Sequence, residues 1–104
     1  MVLCVGSDCA ADERSAHRKL REALCRQEVP VVDAPCLGVC HGPVAVVEPV
    51  GSSPVVVRRV RRGRARRAIV ELGRSGRLGP DATELSVDGK RGRRAIRRAR
   101  RATG

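Results

Sequence analysis

The sequence predicts an α/β fold, β-α-β-β-α with a mixed four-stranded sheet, followed by a basic C-terminal extension. Three observations predict it. Short runs rich in valine, bounded by Gly, Pro, Asp and Ser, recur at Val2 to Val5, Glu28 to Asp33, Val44 to Val47 and Pro54 to Val60. Between the first two runs, and again after the fourth, apolar residues recur at helical spacing. After Gly73 the apolar signal fades and arginine dominates.

Val2-Leu3-Cys4-Val5 is a run of strand formers stopped by Gly6-Ser7-Asp8. From Asp12 to about Arg26, Ala16, Leu20, Ala23 and Leu24 fall on one helix face, with Arg14, Arg18, Lys19, Arg21 and Glu22 elsewhere. Asp12 has the chemistry of an N-cap, and His17 is expected on the helix surface. Glu28 to Asp33, with Val29, Val31 and Val32, reads as the second strand and ends at Ala34-Pro35. Strand, helix and strand within 33 residues make a βαβ unit, whose strands must be parallel. Val44-Ala45-Val46-Val47 and Pro54 to Val60 are joined by the short segment 48–53, which makes an antiparallel hairpin. Ala65, Ala68, Ile69 and Leu72 then mark a second helix, with Gly73 expected at its C-cap.

Residues 1–73 are thus expected to form the folded domain and residues 74–104 a basic tail. Within the tail, 74–80 is linker-like and Thr83 to Val87 is at best a short strand. Residues 90–102, with only Ala95, Ile96, Ala99 and Ala102 as an apolar face, are expected to be a marginal helix or disordered.

Length and composition narrow the function classes. A chain of 104 residues with no Phe, Tyr or Trp builds one modest core, and a cofactor that contributes folding free energy would help it. The N-terminus lacks the basic start and apolar run of a signal peptide, and no stretch is apolar enough to span a membrane. A cytoplasmic location is therefore expected. Five cysteines in a reducing compartment fit metal binding or redox chemistry better than a disulfide framework. No catalytic triad, phosphate-binding glycine loop, nucleotide fingerprint or redox C-x-x-C is present, so the expectation is a carrier or binding protein and not a stand-alone enzyme.

Four of the cysteines arrive as two close pairs, Cys4-x4-Cys9 and Cys36-x3-Cys40. Parallel strands end at one edge of the sheet, so the loops that follow the first and second strands can face each other there. That edge is where open α/β sheets usually place ligands. Four thiolates suit a [2Fe-2S] cluster and equally suit tetrahedral Zn2+, and spacing alone leaves the two even. Cys25, on the predicted first helix, is expected to be a packing or half-exposed residue, and His41, next to Cys40, a residue that either supports the cysteines or faces solvent. Gly38, between Cys36 and Cys40, suits a close backbone approach that a Cβ would obstruct.

C-x4-C followed by Cys36-Leu37-Gly38-Val39-Cys40 and Gly42-Pro43-Val44, on a β-α-β-β-α framework, resembles the thioredoxin-like [2Fe-2S] ferredoxin family. That family includes the small iron-sulfur subunit of respiratory complex I and related hydrogenase and formate dehydrogenase subunits. The resemblance covers residues 2–73. It implies a one-electron transfer protein with a thioredoxin-like fold, in which Cys4, Cys9, Cys36 and Cys40 ligate the cluster, two on each iron. It implies a redox partner protein such as a flavoprotein and leaves room for a homodimer, and the basic charge described below would suit an acidic partner. The other reading is a small zinc-stabilised module that uses its Arg-rich half on nucleic acid or an acidic partner.

Charge is split unevenly. Residues 1–56 carry a net charge of −2 and residues 57–104 one of +13. Phosphates of nucleic acid would bind such runs in a salt-dependent way. Without aromatic side chains, base stacking is not on offer. An acidic redox partner and a merely solvated arginine-rich tail are the competing readings of the same charge.

Overall fold

The computed structural model describes residues 1–4, 14–34, 37–39, 43–48 and 53–103. They form a mixed α/β fold of four strands and four helices: β1 (Val2–Cys4), α1 (Arg14–Arg26), β2 (Val32–Ala34), β3 (Ala45–Val47), β4 (Val55–Val57), α2 (Gly63–Ser75), α3 (Pro80–Leu85) and α4 (Gly89–Thr103). The sheet order is β2-β1-β3-β4. The β1 and β2 strands are parallel, as a helical crossover requires, whereas β1 with β3 and β3 with β4 are antiparallel.

Helices cover both faces of the sheet, so the strands are buried on both sides and read as continuous apolar runs. Side chains alternate across the pleat. Leu3, Ala45, Val47 and Val57 join Leu20 and Leu24 of α1, Ile69 and Leu72 of α2 and Ala82 of α3 in one buried cluster. Val2, Cys4, Val46 and Val56 belong to a second cluster with Ala95 and Ala99 of α4.

The strands are shorter than expected, three residues each. Val29, assigned from sequence to the second strand, instead closes the end of α1. Glu28 takes a left-handed φ of 57°, and the Val29 N–H donates to the Leu24 carbonyl at 2.9 Å. Gly73 is not the cap of α2, which runs on to Ser75. The cap is Gly76, with φ 75° and its N–H on the Leu72 carbonyl at 2.9 Å. The N-cap expected at Asp12 lies outside the described residues.

The larger corrections are in the last third of the chain. Where a linker and a short strand were expected, Pro80 starts α3 at a position that needs no N–H donor. Only Ser86 makes an isolated bridge, to Val57. The Arg58 N–H donates to the Leu85 carbonyl at 3.1 Å, and that of Val87 to the Val56 carbonyl at 2.7 Å. Residues expected to be disordered or marginally helical form α4, whose Gly92, Ala95 and Ala99 are buried. Small residues make this packing work. A Cβ on Gly92 would lie 2.4 Å from the Val87 carbonyl oxygen, so the helix backbone sits closer there than any other residue would allow. Among the described residues, no helix is long and apolar enough to cross a membrane.

Candidate metal centre

Cys4 is the last residue of β1 and is fully buried. Pleat alternation turns it, with Val2, toward the α4 layer, while Leu3 faces α1 and α2. Its backbone is held from two sides. The N–H donates to the Val44 carbonyl at 3.0 Å, and the carbonyl accepts from Nε2 of His17 at 3.0 Å. His17 is buried, not on the helix surface as expected. The signal was in the sequence, since His17 precedes Leu20 and Leu24 by three and seven residues and so shares their stripe.

The register of the parallel pair brings the two cysteine loops into relation. Cys4 is the direct partner of Ala34, the last residue of β2, and Cys36 follows two residues later in the chain. Past it, Leu37 and Val39 are both buried and belong to the same cluster as Cys4. Gly38 between them has φ 79°, a left-handed conformation in which a side chain is strained. The segment that separates Cys36 from Cys40 in the sequence therefore packs in the layer that holds Cys4.

Helix α4 reaches this segment with charge. A Cβ on Gly38 would meet Arg94 Cδ at 3.1 Å, and Arg98 Nη1 at 3.1 Å with Cζ at 3.5 Å. Arg94 and Arg98 are one turn apart on the helix. Hydropathy carries no cue to this neighbour, because it counts apolar area and α4 docks on glycine and alanine. Farther along the helix, Nε of Arg100 is 3.1 Å from Oε1 of Glu48.

Cys9, Cys36, Cys40 and His41 lie outside the described residues. Cys25 is exposed near the end of α1, in the layer opposite the one that holds Cys4, and neither Cys4 nor Cys25 is in a disulfide. Among the described residues there is no group of three or more His, Cys, Asp or Glu side chains that could hold a metal. Two surface clefts of about 370 Å³ contain no described cysteine. One runs between α1 and α2 beside Arg26, Arg66 and Arg74, and the other is lined by Arg59, Arg62, Arg64, Asp81 and Glu84.

Two features of the described residues bear on the two cysteine pairs. A cysteine at a strand end is in register with the strand that leads to the second pair. The loop between the second pair carries a glycine whose backbone is closely approached. No protein-family model, curated protein or solved structure matches the chain.

Proposed function

We propose that the protein is a one-electron carrier that holds a [2Fe-2S] cluster through Cys4, Cys9, Cys36 and Cys40. The observation that carries this reading is the β1–β2 register, Cys4 opposite Ala34, which starts both cysteine-bearing segments from the same edge of the sheet. The strand order β2-β1-β3-β4, with one parallel and two antiparallel pairs, supports the thioredoxin-like architecture that the resemblance implies. When bound, the cluster would supply reversible one-electron chemistry, which none of the side chains of this protein provides.

The chain's own residues have three tasks in this reading. The β1 strand and His17 fix the backbone of Cys4 through hydrogen bonds on either side of its sulfur. Leu37 and Val39 anchor the second loop in the core and keep water from one side of it. Gly38 lets backbone come close where a Cβ would intrude. The +13 charge of the C-terminal half favours encounter with an acidic redox partner, which electrostatic steering would accelerate.

Anaerobic reconstitution with iron and sulfide tests the assignment. The chain has no Tyr or Trp, so absorption above 300 nm reports the cofactor directly. The expected result is a coloured protein with two irons and two sulfides per chain, lost on Cys4→Ser. A colourless protein with stoichiometric zinc after the same treatment would replace the electron carrier by a zinc-stabilised binding module.

A further inference from the structure

We propose that the solvent side of α4 binds the phosphate backbone of duplex DNA without regard to sequence. This is independent of the cysteines and of any metal they hold. The observation that carries it is a stripe of cations. Lys90, Arg94, Arg97 and Arg101 are all exposed and stand at i, i+4, i+7 and i+11, so they run along one side of the helix.

The fold holds that stripe in place. Ala95 and Ala99 are buried against the sheet, and Gly92 is pressed against the Val87 backbone, so the opposite side of the helix is committed to the core. The cations are therefore presented together on a docked helix, where a solvated tail would let them scatter. Helix α4 carries no acid, and the carboxylate nearest to it in sequence is Asp88, just ahead of its first turn. Arg98 has an interaction of its own and Arg100 is paired with Glu48, and neither belongs to the stripe.

Charge and shape select the partner. From Lys90 to Arg101 the helix rises about 17 Å, a length over which duplex DNA carries about ten phosphates. A helix about 10–12 Å across fits the B-form major groove, about 12 Å wide, whereas the major groove of duplex RNA is too deep and narrow to be entered. Sequence-tolerant binding of single strands relies on stacking against aromatic side chains, and the chain has none. An anionic membrane surface takes up the apolar face of a basic helix, and that face of α4 is spent on the sheet. A protein interface needs an apolar centre, and the stripe contains no apolar residue. Lysine and arginine on phosphate give affinity and orientation without reading bases.

The test is fluorescence anisotropy of the full-length chain with a labelled DNA duplex of about two helical turns, titrated at several salt concentrations. The logarithm of the affinity should fall linearly with the logarithm of salt concentration. Arg97→Gln/Arg101→Gln should reduce the magnitude of that slope by about 2 and weaken binding at low salt by about tenfold or more. Arg97→Lys/Arg101→Lys, which keeps the charge, should bind within about threefold of the parent, and so should a second duplex of unrelated sequence. Arg18→Gln/Lys19→Gln is the control. It removes the same charge from exposed positions of α1, on the other face of the sheet, and should change the affinity less than about threefold.

A parent protein that does not bind the duplex at low salt, or a control that loses as much as Arg97→Gln/Arg101→Gln, would overturn the proposal. Equal or tighter binding of an RNA duplex, a single DNA strand, polyglutamate or vesicles containing phosphatidylserine would overturn it too, and would assign the stripe to that partner. If Arg97→Gln/Arg101→Gln loses its helix by circular dichroism, Lys90→Gln/Arg94→Gln against the same control decides the question. The iron, sulfide and zinc content of the protein bears on none of these outcomes, so a failure here leaves the electron-carrier reading standing, and a colourless protein leaves this proposal standing.

Discussion

On one face of the sheet Leu3, Val47 and Val57 meet Leu20, Leu24, Ile69 and Leu72, while on the other Cys4, Ala34, Val46 and Val56 meet Ala95 and Ala99. The first face gains stability from bulk. Long branched side chains from α1 and α2 remove a large apolar area from water, and that suffices for a chain without aromatic residues. The second face gains it from proximity. Glycine and alanine bury little area themselves but let a helix backbone come close to the strands, which brings the base of a strongly cationic helix against the cysteine layer. One face holds the fold together, and the other positions charge.

The comparison breaks most visibly at Leu72. It is buried in the bulky layer, and truncation to Ala should cost about 2–5 kcal/mol through lost transfer free energy and the cavity left behind. For a domain of this length, total stability is on the order of 5–15 kcal/mol, so the variant should approach its unfolding midpoint under mild conditions. Urea denaturation followed by far-ultraviolet circular dichroism measures it, with an unchanged slope expected. A loss below about 1 kcal/mol would show that bulk on this face is not what holds the sheet.

A smaller effect of diagnostic sign is expected at Gly92. In an exposed helix Gly→Ala stabilises by about 1 kcal/mol. Here the added Cβ would meet the Val87 carbonyl oxygen at 2.4 Å and its carbonyl carbon at 3.2 Å, and backbone cannot rotate away as a side chain can. Gly92→Ala should therefore destabilise, by about 1–2 kcal/mol after the propensity gain is subtracted. Because α4 would have to lift, cleavage after its arginines by trypsin should accelerate while the α1 and α2 face stays protected. A stabilised variant would mean that the helix is not held by close approach.

The same contrast explains what was legible in the sequence. The bulky face announces itself: Leu20 and Leu24, and Ile69 and Leu72, stand at helical spacing, and valine runs mark the strands. From these the βαβ unit, the hairpin and helices α1 and α2 followed. The parallel partner of Cys4 followed in outline, because a βαβ crossover admits only one strand direction. The small-residue face is silent by the same measure. Gly92, Ala95 and Ala99 sit at a clean i, i+3, i+7 spacing, but their summed area is too small to distinguish a docked helix from a solvated one. The Arg94 and Arg98 neighbours of Gly38 were out of reach for that reason. Residues 83–87, at best a short strand from sequence, instead finish α3 and lead out of it, and the cue was Pro80, whose missing N–H costs nothing at a helix start.

The smallest expected effect separates the two faces at their cysteines. Cys25 is exposed near the end of α1, on the bulky side, and its neighbours in the fold include no other described cysteine. Cys25→Ser changes neither buried area nor a cap, so stability should move by less than about 0.5 kcal/mol. Iron and sulfide content after reconstitution should equal that of the parent. Cys4→Ser is the opposite case, since it replaces a fully buried thiol in the layer beneath α4 and removes a thiolate donor. If Cys25→Ser instead loses half its iron while Cys4→Ser retains it, the cysteine function belongs to the α1 side of the sheet, and neither the register argument nor the placement of α4 bears on it.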